Sequence, residues 1–152
     1  MQNQYLCPIH RKWVLMHPLE ALSQIEKVKK EGEYLRQKQQ WNEALPFLGC
    51  ALEMTEIVME ANKPRSARYS LLYTALAVAV ADTLFRLQEM ELASRTLSNS
   101  AAWLNEVGCE VSHQSKSAIC LMECINTLRK GAQFFACILH QPHSSFFSAN
   151  LH

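Results

Sequence analysis

The sequence predicts an all-helical domain, and three observations carry that prediction. Proline and glycine are scarce, five and four in 152 residues, so there are few places where a helix must break. Apolar residues recur at three- and four-residue steps over most of the chain. Neither a glycine-rich phosphate loop nor an alternation of strand and helix patterns appears, which argues against the nucleotide-binding α/β folds.

Five helices are expected. The first covers 18–39: Pro18 suits a first turn, where its missing N–H costs nothing, and Leu19, Leu22, Ile25, Val28 and Leu35 follow at helical spacing. The second starts at Asn42 as N-cap, with Glu43 in the first turn, where a negative charge meets the positive end of the helix dipole. Pro46 is near enough the start to be tolerated, Leu45, Leu48, Leu52, Ile57 and Met59 mark the apolar face, and Asn62-Lys63-Pro64 ends the helix. The third covers 66–87. Its centre, Ala75-Leu76-Ala77-Val78-Ala79-Val80-Ala81, alternates as a strand would, but length and alanine content decide for helix, because alanine is the best helix former and is depleted in strands. The fourth covers 91–106 and is closed by Gly108; the fifth runs from about 112 toward 140, with Gly131 as its weak point. This gives one domain over 18–140, an N-terminal arm at 1–17 and a C-terminal tail at 141–152.

Composition narrows the function classes. Hydrophobic residues make up 49% and charged residues 19%, so a partner or a second copy of the chain is expected to cover some apolar surface. A net charge of +1 and a pI near 7.7 are not the footprint of a nucleic-acid binder, where a pI above about 9 is usual. The basic run Lys27-Val28-Lys29-Lys30 is interleaved with Glu26, Glu31 and Glu33 and reads as a solvated face. Trp13, Trp41 and Trp103 lie far apart and show no alternation with basic residues. The most apolar stretch, 71–81, falls short of the roughly 20 residues a membrane span needs. Between Met1 and Met16 the pattern of a secretory leader is missing, so a cytoplasmic location and reduced thiols for the six cysteines are expected.

The most informative feature is a repeat of small residues. Gly32, Ala44 and Ala51 are spaced by twelve and seven, and Ala81, Ala93 and Ser100 repeat that spacing. Larger residues correspond too: Leu35 with Leu84, Trp41 with Met90, Leu48 with Leu97. Two antiparallel helices approach closely only where small side chains face each other, while bulky ones between them fill the groove and reach the next hairpin.

At these residues the chain resembles the tetratricopeptide-repeat family, closely over 32–52 (Gly32, Trp41, Ala44, Ala51-Leu52) and loosely over 81–101. Two departures stand out: the matched positions are 49 residues apart against about 34 in the family, and Glu56 and Asn105 replace the proline that usually closes a unit. The resemblance implies stacked helical hairpins with a C-terminal capping helix and a groove that binds a peptide or helix. It further implies an adaptor or chaperone-like role rather than an enzyme, with Lys27, Lys30, Tyr34 and Lys38 on one hairpin and Tyr73 and Ala77 on the other lining that groove. An ordinary helical bundle is the alternative fold, and a structural homo-oligomer with no separate client, for instance a homodimer, is the alternative function.

Other residues carry candidate chemistry. Cys7-x-x-His10 and Cys137-x-x-His140 share one spacing and together would form a Cys₂His₂ zinc set joining the two ends of the domain; a buried thiol at Cys137 and a surface imidazole at His10 are the simpler reading, and no cofactor is expected. His113-Gln114-Ser115-Lys116 resembles the His-x-x-Lys core of histidine phosphotransfer domains, in which the imidazole takes a phosphoryl group; a polar helix start is the simpler reading. Cys120 and Cys124, and Cys109 and His113, stand four apart, a spacing that serves packing. Glu53, Glu56 and Glu60 share one helix face, expected to be solvated.

Overall fold

The computed structural model describes residues 5–62, 67–108 and 115–141. Among these residues there are six helices and no strand: α1 (Pro8–Met16), α2 (Pro18–Gln37), α3 (Trp41–Asn62), α4 (Ala67–Arg86), α5 (Met90–Val107) and α6 (Lys116–His140). Five of them fall where the periodicity places them, within a few residues at each end. The sixth, α1, lies inside the stretch read as an N-terminal arm. Pro8 opens it at a position that needs no N–H, and Val14 is its one fully buried side chain, with Leu6 buried just before it.

The helices pair by sequence neighbour. α2 packs along α3 and α4 along α5, each pair joined by a three-residue turn (38–40 and 87–89). α4 also lies against α3, α6 covers α5 and α4, and α1 sits on α3 and α2 at the opposite end. Both turns have the same construction. Gln40 N–H reaches back to Leu35 O and Gln39 N–H to Arg36 O, each at 2.9 Å; Glu89 to Leu84 O and Gln88 to Phe85 O match them at 2.9 Å. Gln39 (φ 59°) and Gln88 (φ 66°) are left-handed, completing a Schellman cap with glutamine where glycine is usual. Every partner in one turn lies 49 residues from its counterpart, so the two turns repeat at the same 49-residue interval as the small residues.

The small residues stand where the helices meet. Ala44, Ala51, Ala81 and Ala93 are fully buried and Ser100 nearly so. At Gly32 a Cβ would fall 2.7 Å from Leu48 Cγ, so the backbone of α2 rests directly on that leucine. Gly131, read as a weak point of the last helix, does not interrupt α6; a Cβ there would lie 2.7 Å from Leu97 Cδ1, so its absence lets α5 and α6 close together. Ser94 hydroxyl bonds Ala132 O at 2.9 Å across the same contact.

Two caps differ from expectation. Gln40, not Asn42, caps α3: its carbonyl takes the first intrahelical bond from Ala44 N–H at 2.9 Å, and Asn42 is already helical and exposed. Ser115 caps α6, its hydroxyl accepting from Ala118 N–H at 3.1 Å. Gly108 ends α5 as expected, but with an ordinary right-handed φ of −79°.

Candidate functional site

The residues expected to line a groove fall on α2 and its C-cap and on α4, the first helices of the two hairpins. Arg36 on α2 pairs with Asp82 on α4, and Arg86, 3.7 Å from the same carboxylate, also covers the Trp41 ring at 5.5 Å. These contacts bind the turn end of one hairpin to that of the other. Lys27, Lys30, Tyr34 and Lys38 share one exposed face of α2, with the Lys38 ammonium 5.1 Å above the Tyr34 ring. Tyr73 and Ala77, expected beside them, are instead completely buried. α4 has neighbours on three sides, and its 73/77 stripe turns inward. The face it leaves open is Leu71, Ala75 and Val78, a stripe offset by about two residues from the expected one.

The carboxylates of α3 are the second departure. α3 is contacted by α1, α2 and α4, so the face that spacing marks as solvated is enclosed. Glu53, 4% exposed, holds the start of α1: it accepts from the Tyr5 and Leu6 N–H groups at 3.1 and 2.9 Å and from the Arg11 guanidinium at 3.0 Å. Glu56, also buried, accepts from the Tyr73 hydroxyl at 2.9 Å. Burial pushes Glu56 up to about 7, with the Tyr73 hydrogen bond pulling the other way and the charges of Glu53 and Glu60 adding to the rise. Burial, followed by the neighbouring Glu56 charge, raises the Tyr73 phenol. Only Glu60 is exposed, accepting from Trp103 Nε1 at 3.0 Å. Trp103 in turn packs on Tyr73, ring centres 4.6 Å apart. These acids tie helices together rather than forming an acid–base pair open to substrate.

An apolar cleft of about 660 Å³ opens between α1, α2 and α3. Its walls include Leu6, Trp13, Val28, Phe47, Cys50 and Met54, and its two polar side chains are His10 and Gln24. α1 spans nine residues, about 13 Å, against roughly 33 Å for α3. At the other end of the stack the 25-residue α6 spans its neighbours fully. The exposed Cys7, flanked by Leu6 and by Ile9 and His10 of the cleft wall, brings its Sγ to 3.1 Å from His10 Nδ1. Cys50, inside, bonds Tyr5 O at 3.1 Å, and burial, then the Glu53 charge, pushes its thiol up.

Of the proposed zinc set, Cys7 and His10 touch one another on α1, whereas Cys137 and His140 lie exposed in the last turn of α6. The four are not brought into one ligand set, and among the described residues no group of three or more His, Cys, Asp or Glu side chains is placed to hold a metal. Cys109 and His113 lie outside the described residues. Cys120 and Cys124 face the neighbouring helices, Cys124 buried and Cys120 half-buried. No helix among the described residues is long and apolar enough to cross a membrane.

Comparison with protein-family models, with curated proteins and with solved structures finds no match to this chain.

Proposed function

We propose that this protein is a non-enzymatic interaction module, adaptor- or chaperone-like, that binds a peptide or helix along the groove between α2 and α4. The observation that carries the reading is the open stripe of α4. That helix is packed by three neighbours, yet keeps Leu71 at 55% and Val78 at 41% exposure, with the exposed Ala75 between them. The spacing of the stripe, i, i+4 and i+7, suits an apolar seam of a partner helix or an extended segment with alternate apolar side chains. Lys27, Lys30 and Lys38 supply a polar rim, and Tyr34 an amphipathic contact. The resemblance to tetratricopeptide repeats supports the same groove. The reading needs no metal or cofactor, and it places the protein in the cytoplasm.

The test is affinity capture with the tagged chain, followed by titration of the captured partner's segment into wild type and into Leu71→Glu and Val78→Glu variants. Both substitutions lie on solvent-exposed positions, so helicity by circular dichroism should be retained. Loss of binding in both variants supports the groove; undiminished binding moves the site elsewhere. A second reading, a structural homo-oligomer without a client, is supported by the exposure of Ile9 (80%), Met16 (66%) and Leu19 (79%) around α1. Light scattering that finds a dimer, with only the protein itself recovered in the capture, favours it.

A further inference from the structure

We propose that Cys7 is a site of S-acylation, with His10 as its base and the cleft between α1, α2 and α3 as the seat of the acyl chain. Two independent features meet here. One is a nucleophile–base pair, with the Cys7 thiol exposed and its sulfur 3.1 Å from His10 Nδ1. The other is the cleft itself. Its volume of about 660 Å³ falls within the roughly 300–1,000 Å³ of pockets that hold one small molecule, and no Asp, Glu, Lys or Arg side chain lines it. His10 belongs to both, so an acyl group joined to the neighbouring sulfur can run into the apolar channel between Val28, Phe47 and Met54. The site is separate from the α2–α4 groove and does not depend on it.

The chemistry balances with an acyl thioester as donor. With the imidazole protonated at Nε2, Nδ1 takes the Cys7 thiol proton. The thiolate attacks the acyl carbon and forms a new C–S bond, the bond to the donor's sulfur breaks, and His10 returns the proton to the departing thiolate. The amides of Ile9 and His10 in the first turn of α1 have no acceptor within the helix, which leaves them available to the oxygen of the tetrahedral intermediate.

The molecule contains its own controls. Cys137 and His140 repeat the spacing in the last turn of α6 and are exposed, but His140 does not line the cleft. Cys50 lies inside the cleft, but its thiol donates to Tyr5 O and its proton is held more tightly.

The experiment is incubation of the full chain with octanoyl-coenzyme A or acetyl-coenzyme A. Intact mass and peptide mapping locate the adduct, and hydroxylamine confirms a thioester. One octanoyl group on Cys7 is expected, absent in Cys7→Ser, unchanged in Cys137→Ser and slowed by a factor of about 10² in His10→Gln. Octanoyl transfer should outpace acetyl transfer about tenfold or more, because only the longer chain buries methylenes in the cleft. Circular dichroism of each variant separates a lost base from a lost fold. No adduct on Cys7, equal labelling of Cys7 and Cys137, or equal rates with the two donors would overturn the proposal.

Discussion

Gly32→Ala should destabilise this protein, although alanine in place of glycine inside a helix ordinarily stabilises by about 1 kcal/mol. The added Cβ would stand 2.7 Å from Leu48 Cγ and 2.8 Å from Leu48 Cδ2, with the Leu48 backbone nitrogen 3.3 Å away. Carbon atoms prefer about 3.5–4.0 Å, so α2 and α3 must separate by something approaching 1 Å. Leu48 has little room to yield: it is completely buried, the closest contact is its branch carbon, and its own backbone stands behind it. Overpacking of this kind costs typically 1–3 kcal/mol, and at its upper end it outweighs the propensity gain by about 2 kcal/mol. Urea unfolding followed by circular dichroism would read this as a midpoint lowered by about 1 M. The equivalent position in the second hairpin, 49 residues on, is Ala81, fully buried. There Ala81→Gly should also destabilise, by about 1–2 kcal/mol, through lost propensity and lost packing. A midpoint that rises in Gly32→Ala would refute the view that this glycine sets the approach of α2 and α3.

Three further outcomes follow from the same structure. Glu56, with an ordinary value of 4.5 raised to about 7 in the fold, binds its proton more tightly folded than unfolded. Its contribution is therefore full below about pH 4.5 and is lost as pH rises through 7, by up to roughly 3 kcal/mol. Glu56→Gln should flatten the wild-type fall in stability between pH 5 and 8, read by denaturant midpoints at the two pH values. Glu53→Ala strands two backbone donors and the Arg11 guanidinium, costing about 3 kcal/mol, and hydrogen exchange should accelerate first in 5–16; uniform acceleration across the bundle would argue against a local clasp. Gln39→Gly and Gln88→Gly relieve left-handed backbone at φ 59° and 66° and should each raise the melting temperature, by about 0.5–1 kcal/mol of stability.

Much of this architecture can be read from residues that report locally. The boundaries of α2, α4 and α5 follow from apolar spacing, and the hairpin repeat follows from the small residues between 32 and 100, because close approach of two backbones leaves few choices of side chain. What sequence spacing does not reveal depends on distant neighbours. α1 buries little of its own, and Glu53, some 42 to 48 residues away, supplies its anchor. Glu56 and Glu60 have the same spacing whether their helix faces water or another helix; the enclosure of α3 decides. Tyr73 and Ala77 turned inward because α4 is covered on three sides, which shifts its one open stripe to Leu71, Ala75 and Val78. In the candidate acylation site Cys7 and His10 were legible as a pair, whereas the cleft is a property of three elements together, α1, α2 and α3.

The unequal ends of the stack give the molecule a direction. Where α6 seals the second hairpin over its whole length, α1 seals the first over less than half, held by one carboxylate. Thermal opening should then begin at the amino-terminal end and travel inward, as it does in arrays whose units depend on their neighbours. A protease given the native protein would find its earliest cuts between 5 and 17, with the segment from α4 to α6 surviving longest. α1 thus acts as a fuse: its release exposes the first hairpin before the rest of the molecule opens.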